Sequence, residues 1–194
     1  MIKSRSDYLM FLKQDKIALG ITKSKPRMFY DEIWRFEKLL RKCEYYKNCY
    51  KNIFQKAYLK YLLIRFHKLS VKLGFSIPLN VFGPGLSIAH YGTITVNDNA
   101  RIGKNCRIQE GTCIGSTNGN NDAPIIGDNV FIGTGAKIIG NIKIGNNIAI
   151  GANAVVTKSF ENGNITIAGI PAKKISDNNS HNNLQKLLKE CNLL

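Results

Sequence analysis

Histidine is the scarcest side chain here that can move protons near neutral pH, with three in 194 residues: His67, His90 and His181. Imidazole titrates close to neutrality, which suits it to take a proton from a weak nucleophile such as a hydroxyl. His67 lies in a basic segment with amphipathic helical spacing, and His181 lies in the polar run DNNSHNN, so both read as surface or packing residues. His90 stands in SIAHYGTITV, at the single slip of an otherwise regular repeat, and is the candidate for chemistry. The five cysteines, Cys43, Cys49, Cys106, Cys113 and Cys191, are odd in number and contain no C-x-x-C pair. They suggest neither a disulfide framework nor a zinc ribbon, so they read as reduced thiols used mostly in packing, and no metal is expected.

The element that must position His90 is set by a six-residue ruler. Aliphatic residues stand at Val96, Ile102, Ile108, Ile114, Ile126, Ile132, Ile138, Ile144, Ile150 and Val156, every step being six or twice six. Phe82 and Ile88 keep the step, and the eight residues from Ile88 to Val96 are the slip. Neither a helix nor a plain alternating strand has this period. One residue after a mark comes Gly103, Gly115, Gly127, Gly133, Gly145 or Gly151. Three after eight of these ten marks stands Asn or Gly (Asn99, Asn105, Gly111, Asn129, Gly135, Asn141, Asn147, Asn153), the residues that accept positive φ most cheaply. Four after it comes a small or aliphatic residue, from Ala100 and Cys106 to Ile148 and Ala154. Short strand, corner, short strand is the pattern of a coil, in which three hexads close a triangular turn and stacked turns pair their backbones. A bulged corner at the slip would hold His90 outside the core.

The segments GAKIIGNIKIGNNIAIGANAVV (135–156) and IAGIPAKKI (167–175) resemble the last coils and closing strand of the hexapeptide-repeat acyltransferases, within them the serine acetyltransferase branch. The likeness covers about residues 75–176. It implies a mainly β fold, a left-handed parallel β-helix of hexapeptide repeats with an N-terminal α-helical region and a short C-terminal helix. It also implies acetyl-CoA as donor and homotrimers with active sites between subunits. His90 aligns with that family's catalytic histidine, and the glycine-rich turn carrying its oxyanion donors corresponds to Gly115 and Ser116. From there STNGNND (116–122) would protrude and cover the site. The resemblance places the coenzyme along Gly133, Thr134, Gly151 and Ala152, with Lys137, Lys158, Lys173 and Lys174 as candidate partners of its phosphates. Tyr91, Glu110 and Asn118 are the candidate acceptor contacts.

The flanks read as helical. Ile33, Phe36, Leu40 and Cys43 step by 3, 4 and 3 along one helix, and 53–69 forms a second. Leu184, Leu187, Leu188 and Cys191 define one face of a C-terminal helix. The boundaries read as 1–72 for the basic helical region, 73–176 for the coil and 177–194 for linker and helix. Net charge is +15, and residues 1–75 hold 18 Lys+Arg against 6 Asp+Glu, which is +12 of it. Such a balance draws anionic partners. No apolar run approaches the ~20 residues of a membrane span, and the first residues lack a leader's cleavage site, so a cytoplasmic protein is expected.

The acceptor is read from departures. The family pairs its histidine with an aspartate fifteen residues earlier, here Phe75, and the preceding aspartate is Ala89. An arginine and a histidine that serve the serine site correspond to Asp122 and Ala123. With these gone, free serine would be poorly matched, and the expected acceptor is a hydroxyl of an anionic surface saccharide of the capsule or lipopolysaccharide type. The unpartnered His90 would be oriented by a backbone carbonyl or a carboxylate such as Glu110 or Asp98. Serine O-acetylation is the alternative. A noncatalytic prism binding a polyanion through its basic helices is the third reading, with nucleic acid not the expected partner.

Overall fold

The computed structural model describes every residue except Met28, Tyr50, Lys51, Asn118 and Asn120, and omits the side chain of Leu187. The expected contact at Asn118 therefore lies outside the described residues. Three helices lead: α1 (Arg5–Ala18), α2 (Glu32–Cys49) and α3 (Ile53–Leu73). Short strands follow, from β1 (Phe75–Ser76), β2 (Ser87–Ile88), β3 (Ile94–Val96), β4 (Arg101–Ile102) and β5 (Arg107–Ile108) to β6 (Cys113–Gly115). Next come β7 (Ile125–Ile126), β8 (Phe131–Ile132), β9 (Lys137–Ile139), β10 (Lys143–Ile144), β11 (Ala149–Ile150) and β12 (Val155–Val156). The chain ends with β13 (Thr166–Gly169), β14 (Ala172–Ser176), a 3-10 turn Ser180–Asn182 and α4 (Lys186–Glu190).

The strands stack into three faces of a prism. The first face has the order β1-β3-β6-β9-β12, the second β10-β7-β4, and the third β14-β13-β11-β8-β5-β2. All pairs are parallel except β13 with β14. The six-residue marks fall in register: Ile88, Ile108, Ile132, Ile150 and Ile167 on the third face, and Val96, Ile114, Ile138 and Val156 on the first. All of these side chains are buried. Burying each stabilises by about 1.5–3 kcal/mol, so the ladder is the main source of cohesion.

The corners show why Asn and Gly recur. Asn105, Asn129, Asn147, Asn153, Gly111 and Gly135 have positive φ, as expected. Asn99 and Asn141 do not; at the latter corner the strained position is Gly140. Between the second and third faces the asparagines form a ladder. The Asn105 amide donates to Asn129 Oδ1 at 2.8 Å, Asn129 to Asn147 at 2.9 Å and Asn147 to Asn164 at 2.9 Å. His181 Nε2 lies 3.2 Å from Asn147 Oδ1, which places that histidine in the ladder's structural network.

Two expectations need correction. The chain is not mainly β: 32% of it is helix, because each coil devotes only two or three residues per face to strand and the rest to corners. Cys191 is exposed rather than buried beside Leu184 and Leu188, because α4 stops at Glu190. The helical region shares one core with the coil, Phe36 and Leu40 packing with Leu73, Phe75 and Ile94.

The helices also close the open end of the prism, a role not read from sequence. The first coil offers unpaired backbone groups upward, and buried side chains of α1 and α2 meet them. Asp15 accepts from the N–H of Gly85 (2.8 Å) and Leu86 (2.9 Å), Glu37 from Ile88 (3.0 Å) and Glu44 from Asn80 (2.7 Å). Arg41 donates to the carbonyls of Phe82 (2.9 Å) and Gly83 (2.7 Å), and pairs with Asp15 (2.7 Å) and Glu44 (3.0 Å). A sheet edge buried without such partners would be costly.

Candidate active site

The corner between the third and first faces carries the candidate chemistry. Four turns stack there: Ala89–Thr93, Gln109–Thr112, Gly133–Gly135 and Gly151–Asn153. Backbone bonds lock them, Gly111 N–H to Thr93 O at 2.7 Å, Gly135 to Glu110 O at 2.9 Å and Asn153 to Thr134 O at 2.8 Å. The uppermost turn has two residues more than the one below, since Ile88 pairs with Ile108 while Val96 pairs with Ile114. Those residues push His90 and Tyr91 out of the wall, and both are exposed. Gly92 has φ +133°, and a Cβ there would lie 3.0 Å from the Cβ of Glu110, so Glu110 is seated directly beneath it.

Below the histidine the corner is small and polar. Thr134 Oγ1 lies 3.0 Å from Glu110 Oε1 and 3.1 Å from Gln109 Oε1, one hydroxyl proton serving two acceptors. The Thr134 N–H also donates to Gln109 Oε1 at 3.0 Å. Glu110 Oε2 is buried without a partner. Lys137 Nζ donates to the carbonyl of Gly111. Gly133 leaves no room for a Cβ, which would meet the Ala152 N at 2.8 Å. His90, Tyr91, Glu110, Gly133, Thr134, Gly151 and Ala152 are thus brought to one corner of the prism, with Lys137 at its side.

Other expected residues lie elsewhere. Gly115 and Ser116 are at the far end of the first face, roughly 10 Å of strand from the histidine's corner. Ser116 Oγ accepts from Asn97 Nδ2 at 3.3 Å, and the described part of the 116–122 loop sits over Gly140 on that second corner. The described residues of the loop do not cover His90. Asp98 is on the same distant corner and does not orient His90. Lys158 lies over the Phe160 ring, 5.5 Å from its centre, and Lys173 and Lys174 are exposed on β14, Lys174 paired with Asp177. The four lysines do not converge. Phe75 is buried in the core and Ala123 is buried too, while Asp122 is exposed. Among the described residues no group of three or more His, Cys, Asp or Glu could hold a metal ion, and no helix is long and apolar enough to cross a membrane.

A feature missed in the sequence lies on the other side of His90. A pocket of about 190 Å³ opens between the α1–α2 connection, the third face and the C-terminal segment, lined by Tyr30, Trp34, Ala89, Tyr91, Arg107 and Gln185 among others. Arg107 precedes a six-residue mark like any outward-facing residue, and only tertiary packing turns that position into a wall.

These features define a class of fold, a parallel β-coil of six-residue repeats, and residues 123–158 match the family described as bacterial transferase hexapeptide (six repeats). More particularly, the chain is similar to serine acetyltransferases. The one from Buchnera aphidicola subsp. Schizaphis graminum is 33% identical over 132 residues, covering 64% of this chain and 50% of that protein. Among solved structures, Brucella abortus serine acetyltransferase in complex with coenzyme A is 27% identical with a TM-score of 0.68, over 90% of this chain and 70% of that one. Neisseria gonorrhoeae serine acetyltransferase in complex with serine is 26% identical with a TM-score of 0.68, over 89% and 71%. The chain spans about half the length of the curated relative from Buchnera.

Proposed function

We propose that this chain is an acetyl-CoA-dependent O-acetyltransferase with His90 as general base. The observation that carries the reading is the stacked corner: an exposed imidazole on a lengthened turn, above turns of Gly133, Thr134, Gly151 and Ala152 whose two glycines have no room for a Cβ. The solved relative holding coenzyme A supports the donor. His90 takes the proton of the acceptor hydroxyl as its oxygen attacks the thioester carbonyl. The tetrahedral intermediate then collapses to the acetyl ester, and the imidazolium returns the proton to the departing thiolate. Gly115 and Ser116 belong to this chemistry only across a subunit boundary, because within one protomer they face another corner; a homotrimer that sets the first face of one prism against the histidine corner of the next would unite them. Backbone donors of this kind are worth ~3 kcal/mol each.

For the acceptor, the relatives support L-serine. The saccharide reading rests on one specific observation: Ala89, where the resembled family carries the carboxylate that helps hold the substrate's amino group, offers no polar group to an ammonium, and Phe75, at the position of the aspartate paired with the histidine, is sealed in the core. Thiol release from acetyl-CoA, with L-serine or acidic polysaccharides as acceptor and the product weighed by mass spectrometry, separates the two. His90→Ala should lower turnover by about 10²- to 10⁴-fold with an unchanged melting temperature. An intact rate in that variant would remove His90 from the mechanism.

A further inference from the structure

Beside the histidine's corner stands a cation without a counter-ion. Arg107 is half-buried on the third face, where its Nη1 donates to Ser87 Oγ at 3.0 Å, and it pairs with no carboxylate among the described residues. The one carboxylate in the pocket, Asp31, is already held by Lys23 at 2.7 Å and by Arg27 at 3.4 Å. Three separate parts of the chain build the cavity around the guanidinium. The α1–α2 connection supplies Tyr30 and the first turn of α2 supplies Trp34, the lengthened turn supplies Tyr91, and the C-terminal segment supplies Gln185. In the strand register Arg107 lies opposite Ser87, three residues before His90, roughly 10 Å of chain. Ala89 and Tyr91, on either side of His90 in the chain, both line the cavity.

We propose that Arg107 receives the carboxylate of the acceptor and so sets the hydroxyl before His90. The proposal rests on the acetyltransferase reading for its use but not for its binding chemistry. A guanidinium presents a planar fork that matches a carboxylate with two parallel hydrogen bonds. Burial disfavours the bare guanidinium charge, which makes a counter-charge worth more here than on open surface. The aromatic walls of Tyr30, Trp34 and Tyr91 suit the apolar face of a small hydroxylated carboxylate. That chemistry has two sources, a hydroxy amino acid such as serine and an acidic sugar.

The test measures binding by calorimetry with four probes: L-serine, L-serinamide, N-acetylneuraminic acid and its methyl ester. At least one free carboxylate should bind tenfold or more tightly than its neutral counterpart, and which one does so names the source. Arg107→Gln should abolish that preference and Arg107→Lys should keep part of it, with acetyl-CoA affinity unchanged in both. The proposal is overturned if neither carboxylate outbinds its neutral partner, or if the preference survives Arg107→Gln. Should Arg107→Gln fail to fold, the wild-type comparison and Arg107→Lys still decide, since a guanidinium fork loses more than a point charge predicts. Carboxylate preference lost with Arg107, together with no thiol release from acetyl-CoA, would leave this subsite standing and remove the acetyltransferase reading instead.

Discussion

Glu37 Oε1 accepts the backbone N–H of Ile88 at 3.0 Å, two residues before His90, from a position without solvent exposure. The helical region thus holds the strand that leads into the histidine's turn. The carboxyl is poorly placed for a charge: burial, and then the nearby Asp15, push its pKa well above the usual carboxylate range, outweighing the Ile88 bond and Arg41. Its second oxygen has no partner. A group whose folded pKa is raised binds more protons folded than unfolded, so stability falls as pH rises from the unfolded pKa, near 4.5, through the folded one.

Glu37→Gln mimics the protonated carboxyl and keeps the bond to Ile88. It should match wild type at low pH and exceed it at high pH, where removing the penalty raises the melting temperature. Melting curves between pH 4 and 9 check this, and a constant offset across that range would show that Glu37 does not titrate.

Close approach of backbones between coils makes a second prediction. A Cβ on Gly103 would stand 2.7 Å from the backbone carbon and oxygen of Gly127 in the coil below, where neither chain can yield without breaking the ladder. Gly103→Ala should cost about 1–3 kcal/mol, read as a melting temperature lower by roughly 2–12 °C. Gly119→Ala meets open space and has only a φ of +68° against it, so its loss should be the smaller of the two.

The thiols divide by burial. Burial pushes Cys43 and Cys106 up to about 12, so they carry almost no thiolate at neutral pH. Cys191 is exposed. A colorimetric thiol reagent should modify Cys191 within minutes and reach Cys43 and Cys106 only on unfolding. Rapid reaction of Cys106 in the folded protein would contradict a sealed coil interior.

How far the sequence speaks depends on how local the physics is. The coil is legible because each inward side chain repeats its reason every six residues, as Ile108, Ile132 and Ile150 do. His90 is legible because a two-residue slip in such a pattern must show on the outside. The cap is not, since Asp15, Arg41, Gly85 and Leu86 meet across 26 to 71 residues of chain. A trace existed in α2, where Glu37, Arg41 and Glu44 follow the apolar stripe of Phe36, Leu40 and Cys43, a poor place for charges meant for water. Gly115 and Ser116 were grouped with His90 by resemblance alone, which says nothing of which corner a turn occupies.

The basic helical region supplies the last prediction. α3 turns its solvent side outward with Ile53, Phe54, Tyr61, Ile64 and Val71 exposed, and carries Lys56, Lys60, Arg65, Lys68 and Lys72 without a single acidic residue. Charges so exposed act through solvent and are screened over about 10 Å at 0.1 M salt and 3 Å at 1 M. Binding of an acidic polysaccharide should therefore weaken steeply between those concentrations, and replacing Lys56, Lys60, Lys68 and Lys72 by Gln should flatten the dependence while leaving acetyl transfer to a small acceptor unchanged. Retention on an acidic polysaccharide column at graded salt measures it. Binding indifferent to salt would mean that the exposed apolar ridge, and not the charge, makes the contact.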